Sequence, residues 1–352
     1  MAITKITVEE FIKIPQGSFL LLDVRSPSEF AHAHIPAANN LPLFIDEERK
    51  VVGTTYKQQS REQAIKIGLN YFGTKMNWML EEVEQLIAAN KLEQNYNKNI
   101  PIVVHCWRGG MRSAGVAWLL DLYGYKVDTI IGGYKAFRNW ALDQFNKTYQ
   151  FKVMAGYTGS GKTAMLYCLK KQGETIIDLE SLAKHKGSSF GNLAEVKLPT
   201  QEMFENKLAI DLHKHQDKCI WIEDESQRIG NINIPNNIFS QKQTSRIYFI
   251  DIPFEERLEY IVADYGKHSK EKLVNAVIRI KKRLGGLDAK NAINYLLDDD
   301  LKSSFAILLK YYDKYYLKGL HSKENIQSRL INIPCSQVDS VANATTLLHY
   351  NV

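Results

Sequence analysis

The 352-residue chain has 45% apolar residues and a net charge of +6, with 45 Lys and Arg against 39 Asp and Glu. That balance excludes a disordered or fibrous chain and permits an anionic partner such as RNA without requiring one. The length suggests about two domains, each able to bury its own core.

Cys106, Cys168, Cys219 and Cys335 form neither a Cys-x-x-Cys pair nor a Cys/His cluster, so no metal site is expected and a reducing compartment fits best. The first residues, M-A-I-T-K-I-T-V-E-E-F-I-K, lack the apolar region of a secretory signal. No apolar run approaches the ~20 residues that span a bilayer. A cytoplasmic protein is expected.

In chain order, F-L-L-L-D-V (19–24) reads as a buried strand and N-W-M-L-E-E-V-E-Q-L-I-A-A-N (77–90) as an amphipathic helix. P-I-V-V-H-C (101–106) predicts a second strand. The spacing of 111–124 predicts a helix with Gly124 as its C-cap, and K-V-D-T-I-I-G-G (126–133) a third strand ending in a Gly-Gly turn. A helix over 134–146 closes this unit. A new strand at 149–156 places the boundary near 147, giving domains 1–147 and 148–352.

The second half has strand patterns at 151–155, 174–178, 219–223, 246–252 and 330–334, with helices between them. Its C-terminal part is helical, including a long tyrosine-rich helix at 301–316. Alternating strands and helices predict an α/β chain with a parallel sheet in each half.

Two loops carry chemistry. H-C-W-R-G-G-M-R-S (105–113) lies between a strand and a helix, where backbone N–H groups and the helix dipole favour an anion and a thiolate. Gly109 and Gly110 allow the tight curl. Cys106 is the expected nucleophile, and Arg108 and Arg112 the expected grip on a tetrahedral oxyanion. The residues alone leave two reactions open: attack on a phosphate ester, or carriage of sulfur or selenium on the thiol.

G-Y-T-G-S-G-K-T (156–163) fits G-x-x-x-x-G-K-[ST] between a strand and a helix. Gly156, Thr158, Gly159, Ser160 and Gly161 are expected to wrap a phosphate, Lys162 to supply a charge, and the Thr163 hydroxyl to reach a Mg²⁺. Glu223, Asp224 and Asp178 are candidates for a carboxylate partner. A nucleotide and any other diphosphate present the same oxygens.

Three polar stretches, 178–191, 199–206 and 222–230, border strands of the second half, where ligands bind in such sheets. They offer His185, Lys186, Ser188, Ser189 and Arg228 as substrate contacts. The basic segment 267–286 predicts a helix with Leu273, Val277, Ile280 and Leu284 on one face, and Arg279, Lys282 and Arg283 free to follow an RNA backbone. Tyr311, Tyr312, Tyr315 and Tyr316 suit helix packing or base stacking.

Asp23-Val24-Arg25, followed by His34-Ile35-Pro36-x-Ala38-x-Asn40, resembles the rhodanese family from about residue 15 to Phe137, including Gly132-Gly133. Asp23, Arg25 and His34 are expected to tie strand ends and order a loop. A group of phosphatases shares that fold. The two halves together resemble the tRNA 2-selenouridine synthases, through C-W-R-G-G-M-R-S, G-Y-T-G-S-G-K-T, D-L-E-S-L-A-K-H-K-G-S-S-F-G, F-E-N and E-D-E-S-Q-R-I-G in that order. Tyr157 and Lys186 depart from the expected Leu and Arg.

The resemblance implies a rhodanese-like domain followed by a P-loop NTPase-like domain. It implies a transferase that exchanges sulfur for selenium in 2-thiouridine at the tRNA wobble position, by S-geranylation from geranyl diphosphate and then selenation from selenophosphate. Cys106 would carry selenium or guide selenophosphate in. The alternatives are a rhodanese-fold cysteine phosphatase joined to a nucleotide-binding domain, and a non-catalytic tRNA-binding module.

Overall fold

The structure is a computed structural model that describes residues 3–90, 100–185 and 198–350. The chain divides into two compact units, Met1–Gln144 with Glu205–Ala209, and Phe145–Phe204 with Ile210–Val352.

In the first unit, Leu20–Asp23 and Ile102–His105 are short apolar runs with every residue buried. Continuous burial is what a parallel strand covered on both faces requires. They are β2 and β4 of a five-stranded sheet that also holds β1 (Thr4–Ile6), β3 (Asn39–Asn40) and β5 (Val127–Ile130), in the order β1-β5-β4-β2-β3. All pairs are parallel.

Helices Met76–Ala89 and Met111–Leu122 supply Met79, Val83, Val116 and Leu120 to a core shared with Leu22 and Val104. Gly124 adopts φ 101° just past the second of these helices, and its N–H bonds Asp121 O at 3.0 Å, so the expected C-cap is present. Strand β1 was not expected, because Thr4 and Lys5 are exposed and give no apolar run.

The second unit repeats the arrangement. β6 (Gln150–Gly156), β7 (Thr175–Ile177), β8 (Cys219–Glu223), β11 (Arg246–Asp251) and β12 (Leu330–Pro334) form a parallel sheet in the order β12-β11-β6-β8-β7, and β9 (Arg228–Ile229) and β10 (Ile232–Asn233) pair antiparallel beside it. Met154, Leu166, Trp221, Tyr248 and Ile333 fill its core.

Four helices, Phe254–Tyr265, Lys270–Leu284, Gly286–Leu297 and Leu301–His321, build a separate apolar cluster through Leu258, Val277, Leu296 and Leu308. The expected stripe Leu273, Val277, Ile280 and Leu284 is buried there. Helix Leu301–His321 continues five residues past its expected end at 316. Among the described residues no helix is long and apolar enough to cross a membrane. The α/β class with two parallel sheets matches the expectation from sequence.

Candidate functional site

Both expected loops leave the middle strand of a five-stranded parallel sheet, β4 in one unit and β6 in the other. Side chains and backbone donors collect at such strand ends because the following helix starts there.

After β4 the chain curls through Cys106–Gly110 into helix Met111–Leu122, with Gly110 as N-cap. Gly109 has φ 62°, and a Cβ on it would lie 2.6 Å from Ile130 O; Gly133 has φ 57°, and a Cβ would lie 2.3 Å from Cys106 O. Only glycine fits either position. Tyr134 N–H bonds Cys106 O at 2.8 Å and Lys135 N–H bonds Trp107 O at 2.9 Å, which fixes the loop from the following helix.

The Cys106 side chain is almost fully buried. Its Sγ accepts from Gly110 N–H at 3.3 Å and lies 3.3 Å from Ser113 Oγ. Burial opposes the thiolate, but hydrogen bonds from Ser113 and the Arg112 charge outweigh it and hold the thiol below its usual range.

The two arginines are placed differently. Arg112 Nη1 pairs with Glu29 Oε2 at 2.9 Å, and Glu29 also accepts from Ser26 and Arg49. Arg108 is exposed, one residue from the half-exposed Trp107 in the same loop. Sequence reasoning placed Ser113 in the loop motif without a role and missed Glu29, although Ser26-x-x-Glu29 is a legible capping box.

Beneath the loop, Arg25 grips Asp23 and donates to Ala33 O at 2.8 Å, and His34 Nδ1 lies 2.9 Å from Phe30 O. These are the tying roles expected of all three residues. Within the same unit Asn206, from the F-E-N stretch, donates to Tyr134 Oη at 2.8 Å and accepts from Arg138 at 3.0 Å. It is fully buried, so this stretch is packed and not a substrate-facing loop as its polarity suggested.

In the second unit the loop from Gly156 to Thr163 lines a cavity of about 920 Å³. Gly159 has φ 83°, and a Cβ there would meet Ile261 Cδ1 at 2.7 Å and Arg257 O at 3.0 Å. Lys162 Nζ donates to Gly156 O at 2.9 Å and Tyr157 O at 3.3 Å. Thr163 Oγ1 donates to Glu223 Oε1 at 2.9 Å.

Glu223 ends β8 beside the loop, is 1% exposed, and leaves Oε2 without a hydrogen-bond partner among the described residues. Burial, with Glu180 and Asp178 nearby, pushes its carboxyl above the usual range.

The other acidic candidates have other tasks. Asp178 caps helix Leu179–Ala183 through Ser181 N–H at 2.8 Å. Asp224 accepts from Lys323 at 2.6 Å and from Tyr316 Oη at 3.1 Å. Burial opposes its charge, yet Lys242 and Lys323 hold it below the carboxylate range. Lys242 itself is buried and its ammonium is pushed down to about 8.

The helical part grips the loop from outside. Tyr316 Oη accepts from Gly156 N–H at 3.3 Å. Arg257 donates to Thr158 O at 3.1 Å, is held by Asp313 at 2.8 Å, and lies 4.6 Å from the centroid of the Tyr157 ring. Sequence reasoning missed Arg257 and Asp313, because their separation of 56 positions leaves no local pattern. His185 lines the cavity, whereas Arg228 is exposed and bonds Gly230 O. Lys186, Ser188 and Ser189 lie outside the described residues.

Two family models match, a tRNA 2-selenouridine synthase AAA domain over residues 149–330 and a rhodanese-like domain over residues 7–139. Curated proteins with the name tRNA 2-selenouridine synthase are similar along the chain. That of Bdellovibrio bacteriovorus is 33% identical over 92% of this chain and 94% of its own length. That of Shewanella pealeana is 32% identical over 92% and 94%. That of Nitrosomonas europaea is 37% identical over 70% of this chain, and the match spans 63% of that protein. One loop rests on each matched domain, and both matches together run through nearly the whole chain, which belongs to the tRNA 2-selenouridine synthase family.

Proposed function

We propose that this chain is a tRNA 2-selenouridine synthase with two successive steps, residues 1–147 carrying selenium and residues 148–352 binding a diphosphate. The observation that carries this reading is the pairing of a buried, low-pKa thiol in one anion loop with a phosphate loop that opens on a cavity of about 920 Å³.

In the first step the sulfur of 2-thiouridine attacks C1 of geranyl diphosphate. The C1–O bond breaks and diphosphate leaves, with the N3 proton lost to solvent. Lys162 and the N–H groups of Gly159, Ser160 and Gly161 hold the departing charge, which is electrostatic stabilisation of a leaving group. Gly156 and Thr158 shape the loop around it.

Among the described residues no group of three or more His, Cys, Asp or Glu side chains is placed to hold a metal ion. A Mg²⁺ that takes most of its ligands from phosphate and water needs fewer. Thr163 Oγ1 and the orphaned Glu223 Oε2 fit that demand, and the ion would add charge neutralisation at the diphosphate.

In the second step the selenium of selenophosphate forms a bond to C2 as the bond to geranylthiolate breaks, and water then cleaves the P–Se bond and releases phosphate. S-alkylation has by then turned a poor leaving group into a good one. The Cys106 thiolate, set in its anion loop, steers selenophosphate to C2. Arg112, aimed by Glu29, and the exposed Arg108 supply positive charge for that anion.

The test incubates the protein with tRNA containing 2-thiouridine, geranyl diphosphate and selenophosphate, then weighs the nucleosides by mass spectrometry. Wild type should show the selenium-for-sulfur shift. Cys106→Ser should stall at the geranylated nucleoside and Lys162→Ala at 2-thiouridine. Unchanged nucleosides with wild type, and turnover of an aryl phosphate that dies with Cys106→Ser, would replace this reading with a phosphatase.

A further inference from the structure

The helical part of the second unit presents a face that neither loop uses. Helix Lys270–Leu284 buries Leu273, Val277, Ile280 and Leu284, so its last turns turn Arg279, Lys281, Lys282 and Arg283 to solvent. Among the described residues none of these four forms an ion pair, whereas Lys270 at the other end is paired with Asp299. Four cations without an ion pair within five positions repel one another, and the negative end of the helix offsets only part of that cost. An outside anion would relieve it.

Helix Leu301–His321 brings aromatic rings to the same place. Tyr315 Oη lies 3.5 Å from Arg283 O, its ring is 48% exposed, and its centroid is 4.7 Å from that of Tyr311. Lys310, Lys314 and Lys318 are exposed on the same helix, around the two tyrosines. Arg279 and Arg283 are one helical turn apart, roughly 6 Å. Cations spaced along a helix beside the exposed Tyr315 ring, itself backed by the half-buried Tyr311, match a ribose-phosphate strand with unstacked bases. A lipid surface would ask for an apolar face turned outward, whereas this helix exposes Ile278 alone among its large apolar side chains.

We infer that the C-terminal turns of helix Lys270–Leu284, with Tyr311 and Tyr315, form an RNA-gripping surface for the tRNA substrate. This rests on the proposed function for the identity of the RNA. Arg279, Lys282 and Arg283 contact phosphates, and Tyr315 stacks on a base.

The experiment measures binding of the full chain to a tRNA transcript across a potassium chloride series. Arg279→Glu/Lys282→Glu/Arg283→Glu is compared with the exposed pair Lys57→Glu/Lys66→Glu in the first unit, and Arg279→Gln/Lys282→Gln/Arg283→Gln guards against misfolding by charge reversal. The surface predicts a loss of at least about tenfold in affinity for both triple variants. It predicts a salt slope shallower by about 2 to 3 for the Gln triple. Tyr315→Ala should weaken binding about five- to tenfold with the salt slope unchanged.

Equal losses in the Lys57/Lys66 control would reduce the effect to net charge and overturn the assignment. So would binding of phosphatidylserine vesicles as tight as that of tRNA and lost in the same variants. If wild type makes selenated nucleoside and the triple variants bind tRNA as it does, the surface is wrong and the proposed function stands. If wild type binds no tRNA, the function itself falls.

Discussion

At the scale of single residues, the character of the Cys106 thiol is set by what surrounds it. Cys106 is buried, which alone would raise its pKa, and it is held below the usual range because Ser113, the Gly110 N–H and Arg112 act in the opposite direction. Ser113 Oγ also lies 3.0 Å from Gly110 O, so its one proton serves either that carbonyl or the sulfur. Ionisation of the sulfur draws it across. Ser113→Ala removes that donor, so the thiol pKa should rise and the pH profile of alkylation by iodoacetamide should move to higher pH. At pH values below the thiol pKa the alkylation rate should fall about fivefold, the worth of one hydrogen bond of about 1 kcal/mol. An unmoved profile would leave the helix N-terminus and Arg112 as sufficient causes. The sequence showed Cys106, Arg112 and Ser113 in one motif, but not that Glu29 holds Arg112, because that contact crosses 83 positions.

At the scale of elements, helix Leu301–His321 does more than close the fold. Its Tyr316 hydroxyl sits between the Gly156 N–H and Asp224, and its Asp313 holds Arg257 on the Thr158 carbonyl. The phosphate loop is thereby braced by side chains of a helix that begins 145 positions after Gly156. Tyr316→Phe keeps the ring and removes the hydroxyl, leaving a donor and an acceptor unsatisfied. Binding of inorganic pyrophosphate, followed by calorimetry, should weaken about five- to thirtyfold, as for one to two kcal/mol of lost hydrogen bonding. Circular dichroism should stay unchanged. Undiminished affinity would show that the glycines and the Arg257 contact set the loop without the Tyr316 hydroxyl. Local signals made much of this unit legible: the buried strands read as apolar runs, and the loop as spaced glycines before a lysine. The two-residue strands β3, β9 and β10 were not legible, because two residues carry no periodicity. The tyrosine helix was legible as a helix, yet the assignment of Tyr316 to the loop depends on tertiary distance alone.

At the scale of the whole molecule, the same device is used twice. Each unit has a five-stranded parallel sheet, and each places an anion loop after its middle strand. Composition and alternation were enough to show a parallel sheet in each half, with all five strands of the second but only three of the five in the first. Sequence left open what each loop holds, because thiolate, phosphate and diphosphate sites share backbone donors and positive charge. A complete loop in each unit has a consequence for the reaction. If the reaction runs through geranylated tRNA as proposed, and that tRNA leaves the proposed diphosphate site and is bound again for selenation, damage to one loop can be repaired by another chain. Cys106→Ser should still geranylate, and Lys162→Ala should still convert tRNA that is already geranylated. A mixture of the two, given 2-thiouridine tRNA and both co-substrates, should therefore produce the selenated nucleoside at about the rate of the slower half-reaction. If each variant keeps its half-reaction while the mixture yields none, the intermediate is passed on without release, and the two loops act as one site within a single encounter.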